Sequence, residues 1–388
     1  MSGSAPAALD RHDISAARGF LPERDPLCAF DRTDHDSRLG ANLEAFDRLG
    51  DTLSRRLSDG SLRAAVEALP TISPEAIATL SDREAIRLCT QSGFLASAYV
   101  HQVDADPVDR LPEAVAVPLV ETSRRFGRKP VLSYDLLCLH NWARREPKAG
   151  LTDPTSLEAL LQFTDHDDER WFVAIHVAIE ARAGEAIRAC ANAQEAVRAG
   201  TPDALRSELV TLADSIDAQT EIMRRMTERN DPEVFAHEYR PYYEGFDELV
   251  YEGVDDFDGE ARTYRGGSGA QSSILPSIDA ALGVHHETTE LIEKLTDMRS
   301  YMPESHREVI DAFDRGPAIG AYVDETGRDD LTAAYNDCTE ALATFRRVHF
   351  GQVIQYIREV TGDTTGTGGT DYMEFLQVMQ EETAAQTR

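Results

Sequence analysis

The 388 residues carry 39 basic and 69 acidic side chains, a formal charge of −30, which argues against nucleic acid and anionic membrane as partners. No apolar run approaches the ~18 residues a membrane helix needs, the N-terminus MSGSAPAALDRHD has no signal-peptide core, and five cysteines without a CxxC pair argue against a disulfide framework or zinc ribbon, so the chain reads as cytoplasmic. A chain of this length buries a sizeable core and divides into two lobes, and acid spread along it rather than gathered in a tail suits the surface of a halophilic protein.

Residues 1–13 read as a flexible leader. RGFLPERDPL at 18–27, with two prolines in an apolar stretch, reads as an extended segment laid over a folded body. From 38 to 100 the pattern is helical, with breaks at Pro70 and Pro74. In 118–142, Gly127 and Pro130 place a turn, and YDLLCLHNW then starts a helix carrying Tyr134, Leu137, Cys138 and Trp142 at steps of three and four. A charged loop, 143–170, marks a boundary, giving a small N-terminal lobe over 14–155 and a larger helical domain over 156–388.

WFVAIHVAIEARAGEAIRAC at 171–190 is a helix on which Phe172, Ile175, His176, Ile179, Ala183 and Ile187 share one face, so His176 looks inward one turn from an aromatic ring. Residues 203–229 are amphipathic through leucines, Ile216, Met223 and Met226, and that stripe reads as core. In FAHEYRPYYEGF at 235–246, Arg240 stands among aromatics, either stacked or clamping a carboxylate. RGGSGAQSS at 265–273 fits neither nucleotide-binding glycine pattern. It also misses the hydrolase elbow, because Ala270 replaces the last glycine and no strand precedes it, so it reads as a loop that lets backbone approach a flat ligand. ILPSIDAALG begins another helix, with Asp279 on it, and His285 and His286 beyond its end read as a solvated pair.

The longest uninterrupted pattern is 331–360. Asp329 or Asp330 can cap it, and Tyr335, Cys338, Leu342, Phe345, His349, Val353, Tyr356 and Val360 form its stripe. A histidine inside such a stripe is either satisfied in the core or free to bind an iron axially. The polar, glycine-rich stretch 361–370 reads as a mobile loop able to close over a small molecule, and an amphipathic helix ends the chain.

Taken in order, RGFLPERDPL, VLSYDLLCLHNW, FVAIHVAIEARAGEAI, LVYEG, GGSGAQSS, MRSYMPESHREV, AYNDCTEAL with RRVHF, and GTGGTDYMEFL resemble the indoleamine 2,3-dioxygenase family, haem enzymes that open the indole ring of tryptophan. The likeness runs from about residue 18 to 378. It implies an all-α, two-lobed haem dioxygenase fold and haem b as cofactor. The expected substrates are O2 and L-tryptophan or another indoleamine, with N-formylkynurenine as product. An unidentified electron donor primes the iron, and the chain is expected to be a monomer. A haem protein that binds or senses O2 without dioxygenation is the alternative. By position the resemblance makes His349 the proximal ligand, with Arg346 and Asp279 as a charged pair beside it. It places Tyr134, Leu137, Cys138, Phe172, His176, Phe235 and Arg240 on the substrate side, and Gly266, Gly267, Ser268 and Gly269 in a loop near haem and substrate. Thr367 falls in the closing loop. His176 stands where animal members carry serine, whereas the sister family, tryptophan 2,3-dioxygenase, uses a distal histidine to accept the indole N–H. The resemblance therefore gives His176 and Arg240 the catalytic roles.

Overall fold

The computed structural model describes residues 7–103, 105–284, 289–364, 366 and 372–388. The chain is predominantly helical, and each long helix begins or ends where local chemistry dictates. α1 (Ser37–Gly50) starts at Asp36, whose carboxylate accepts from the Arg38 and Leu39 amides, and α2 (Asp82–Val100) starts at a full Ser81/Glu84 capping box. Between them Pro74 opens a single short turn of helix. α3 (Glu113–Arg125) packs on α2. α4 (Asp167–Ala199) is 33 residues long, about 50 Å, with three acidic residues in its first turn, where the helix dipole favours them. It stops at Gly200 (φ +63°), and α5 (Pro202–Arg224) runs back along it. α6 (Ile274–Leu282), α7 (Thr289–Arg299) and α8 (Glu304–Asp314) follow. α9 (Asp329–Val353) then packs on α5, and α10 (Tyr372–Ala384) packs on α9. Among the described residues no helix is long and apolar enough to cross a membrane.

Two small sheets join distant parts of the chain. β1 (Arg110–Leu111) pairs in parallel with β4 (Phe246–Tyr251), which pairs with β5 (Arg262–Tyr264); β2 (Trp142–Arg144) pairs with β3 (Leu157–Ala159). These revise two expectations. YDLLCLHNW does not continue as a helix: Asp135–Leu139 makes one wide π-type turn and the chain then enters β2. The Asn141 amide bonds both ways to the backbone of Leu161, at 3.0 and 2.8 Å, so tertiary pairing overrides the apolar spacing. A strand, β5, does precede the glycine-rich loop. The expected flexible leader is also ordered from residue 7, with a helix over Ala7–Arg11 and Leu9 wholly buried, because that leucine has a core to enter. The segment from Arg18 does lie over the body: Gly19 crosses α4 at Gly184, where a Cβ would come 2.8 Å from the Arg18 carbonyl carbon. His285 and His286 lie outside the described residues.

Candidate active site

α4, α5, α6, α9 and the turns at 134, 235–243 and 266–272 enclose a cavity of about 480 Å³, within the ~300–1,000 Å³ of typical ligand sites. Its lining joins Tyr134, Phe172, His176, Phe235, Arg240, Gly267, Ser268, Gly269, Asp279, Arg346 and His349, residues separated by as much as the distance from position 134 to position 349 in the chain. Leu137 and Cys138 are buried but are not among the described lining residues; Leu137 packs near Gly267. Thr367 lies outside the described residues, although Gly366 beside it reaches the lining.

The two inward histidines face each other. On α4, the apolar stripe around His176 is buried, while Phe172 and His176 open onto the cavity. Phe172 tilts against His176 at 4.3 Å and against Phe235 at 5.5 Å, and Tyr134 meets His176 edge-on at 5.8 Å. The His176 Nδ1 lies 2.8 Å from the Phe172 carbonyl. On α9, burial, and then the facing His176, push the His349 imidazole down to about 4, so it is neutral and keeps a lone pair for a metal. Just beyond His349 the helix widens into a π-type turn over Ile354–Arg358 instead of running on regularly to 360, and it starts at Asp329 with Arg328 as its N-cap rather than an aspartate. Tyr356, on that turn, bonds to the Asn230 carbonyl at 2.8 Å and sets its ring edge-on to Phe235.

One turn before His349, the buried Arg346 pairs with Asp279 of α6 at 2.6 Å and also donates to Thr383 of α10. Arg240 is buried at the opposite side, with Asp363 at 4.0 Å. The glycine-rich loop owes its path to missing side chains. A Cβ on Gly266 would run into the backbone of residues 243–245, whereas one on Gly269 would meet only His349 Nε2, at an ordinary contact distance of 3.9 Å. Sequence reasoning missed several lining residues. Met223 and Met226, read as core, are buried in the core and also line the cavity. Tyr243, Ser272 and Arg299 gave no signal, because loops and charged helix faces carry no periodicity that separates a cavity wall from solvent. Among the described residues the Arg299 Nε has no partner.

A planar iron macrocycle fits these observations. The buried His349 imidazole is neutral with the Gly269 backbone running near its Nε2, apolar and aromatic groups line the walls, and no cluster of three or more His, Cys, Asp or Glu among the described residues could hold a bare ion. Comparison with known proteins bears on what such a chamber does. The sequence matches the family described as Indoleamine 2,3-dioxygenase over residues 8–362. It is 32% identical to Indoleamine 2,3-dioxygenase 1 of Rattus norvegicus, over 85% of this chain and 86% of the relative, and 29% identical to Indoleamine 2,3-dioxygenase 2 of Homo sapiens, over 98% and 95%. It is also 29% identical to a 6-hydroxytryptophan 2,3-dioxygenase of Fusarium equiseti, over 96% of each. The class is that of the haem-dependent dioxygenases, which are oxidoreductases. Within it, the chain belongs to the indoleamine 2,3-dioxygenase family.

Proposed function

We propose that the chain holds haem b on His349 and cleaves the indole C2–C3 bond of L-tryptophan, or a related indoleamine, with O2 to give N-formylkynurenine. The observation that carries this reading is the opposition of two neutral imidazoles, His349 and His176, across one aromatic cavity edged by a buried arginine. When bound, haem would supply the redox chemistry that inserts both atoms of O2 into the substrate. The protein does the rest. His349 would hold the iron, the Arg346–Asp279 pair restrains the helix that carries it, and the buried Arg299 Nε would suit a carboxylate of the cofactor. Phe172 and Phe235 hold the indole by ring contact, and Ser268 and Gly269 close the wall beside it. Arg240 receives the amino-acid carboxylate in a forked contact, taking the place of Asp363. His176 accepts the indole N–H. The substrate supplies all electrons of the reaction, so a reductant is needed only to prime the iron.

The test is reconstitution with hemin, reduction, and exposure to L-tryptophan and air while the near-ultraviolet band of N-formylkynurenine is followed. One relative is named for 6-hydroxytryptophan, so hydroxylated indoles belong beside L-tryptophan in that assay. His349→Ala is expected to retain no haem and to be inactive. Retained haem with undiminished turnover in that variant overturns the ligand assignment, and wild-type protein that takes up haem and O2 but returns every indole unchanged favours an O2-binding role.

A further inference from the structure

Glu180 lies on α4 one turn beyond His176 and is completely buried. Its Oε1 accepts hydrogen bonds from the Tyr134 hydroxyl and the Ser272 hydroxyl, each at 2.9 Å, while Oε2 has no partner among the described residues. The three residues come from three separate segments, and both donors lie on the cavity wall. Tyr134 is gripped at its other end by Gln271, whose side-chain oxygen accepts from the Tyr134 amide at 2.9 Å while its amide nitrogen donates to the Gly266 carbonyl at 2.8 Å. The Tyr134 ring also meets His176 edge-on, while Phe172 tilts against the same imidazole. Glu180 thus closes a ring of hydrogen bonds that joins α4, the 134 turn and the glycine-rich loop. A hydrocarbon side chain would fill the same space at less desolvation cost, but it would leave the buried Tyr134 hydroxyl and the half-buried Ser272 hydroxyl without their acceptor.

We propose that Glu180 is a positioning residue of the dioxygenase: through Tyr134 and Ser272 it fixes the stance of the His176 imidazole and of the Ser268 loop against the bound substrate. This rests on the reading of the cavity given above. Burial pushes the Glu180 carboxyl up to about 7, against the pull of the two hydrogen bonds. The titratable groups facing it are Tyr134 and Cys138, both pushed well up by burial, and His176 on its own helix, pushed down by burial. All three are neutral near pH 7. Asp135, in a salt bridge with Arg128, lies beyond Cys138. Glu180 is therefore the member of this cluster that changes charge near neutrality.

The experiment compares haem-reconstituted wild type, Glu180→Gln and Glu180→Ala with L-tryptophan across pH 6–9, together with hemin affinity of the apoproteins. Glu180→Ala is expected to lose roughly 10- to 100-fold in kcat/KM, as supporting residues of metal sites do, with hemin affinity unchanged. In Glu180→Gln the amide oxygen accepts the same two hydrogen bonds, so activity recovers while the inflection near pH 7 disappears. Glu180→Ala with wild-type kcat and KM, or Gln and Ala variants equally impaired, overturns the proposal. If the Ala variant does not fold, a Gln variant that keeps the inflection overturns it. Should the wild type bind hemin but not turn over, the dioxygenase reading fails instead. The Soret shift on adding L-tryptophan then decides for Glu180, equal shifts in wild type and variants counting against it.

Discussion

A carbonyl oxygen can only accept a hydrogen bond, so the 2.8 Å contact between His176 Nδ1 and the Phe172 carbonyl places the proton on Nδ1 and leaves the Nε2 lone pair for the cavity. Burial pushes the imidazole below its usual range, which keeps it in that neutral, accepting form. A site built to accept an N–H discriminates against a substrate that lacks one, because the unsatisfied acceptor has no water to turn to. His176→Ala is therefore expected to lower kcat/KM for L-tryptophan by about 100-fold. The same variant should erase most of the preference of the wild type for L-tryptophan over its N1-methylated analogue. Steady-state kinetics on both substrates measure the ratio. A ratio that stays at the wild-type value sinks the role of His176 as acceptor, whatever happens to the rate.

At the scale of elements, α9 and α10 meet through Arg346, which donates to Thr383 from one side while Asp279 holds it from the other. Leu376 and Met379 of α10 reach the cavity, so the docking of this helix shapes its wall. Thr383→Val keeps the volume and removes the acceptor, leaving a buried guanidinium N–H unsatisfied at a cost of about 1–3 kcal/mol. The expected outcome is a several-fold faster loss of hemin to an excess scavenger; an unchanged rate would assign Thr383 to packing alone. This region also shows what the sequence could and could not reveal. His349 and His176 were legible because each interrupts a long stripe of helical period. The π-type turns at 135–139 and 354–358 were not, since they arise where tertiary contacts fit one extra residue into a helical turn. Strands of two or three residues are too short to show alternation. Core and cavity wall look alike in a pattern, so Met223, read as packing, both packs in the core and lines the chamber, while Leu137, assigned to the pocket, is not among its described lining residues. Glu180 was invisible for the opposite reason: an acidic residue on a helix reads as a solvated one.

For the molecule as a whole, the net charge of −30 spread over 16553 Å² of accessible surface leaves about one net negative charge per 550 Å², a mean spacing of ~23 Å. That spacing lies inside the Debye length of ~30 Å at 0.01 M salt and well outside the ~8 Å at 0.15 M. Self-repulsion should therefore act on the fold in dilute buffer and be largely screened at moderate ionic strength. Helical ellipticity and the thermal midpoint are expected to rise between about 0.01 and 0.15 M sodium chloride and then level off, with sodium sulfate superimposing at matched ionic strength. A halophilic surface that works by binding hydrated ions would behave differently, gaining stability up to molar salt and depending on which salt is used. Continued stabilisation between 0.15 and 1 M, without the rise at low salt, would show that the acidic surface acts through ion binding and not through the mean charge density on which the screening argument depends.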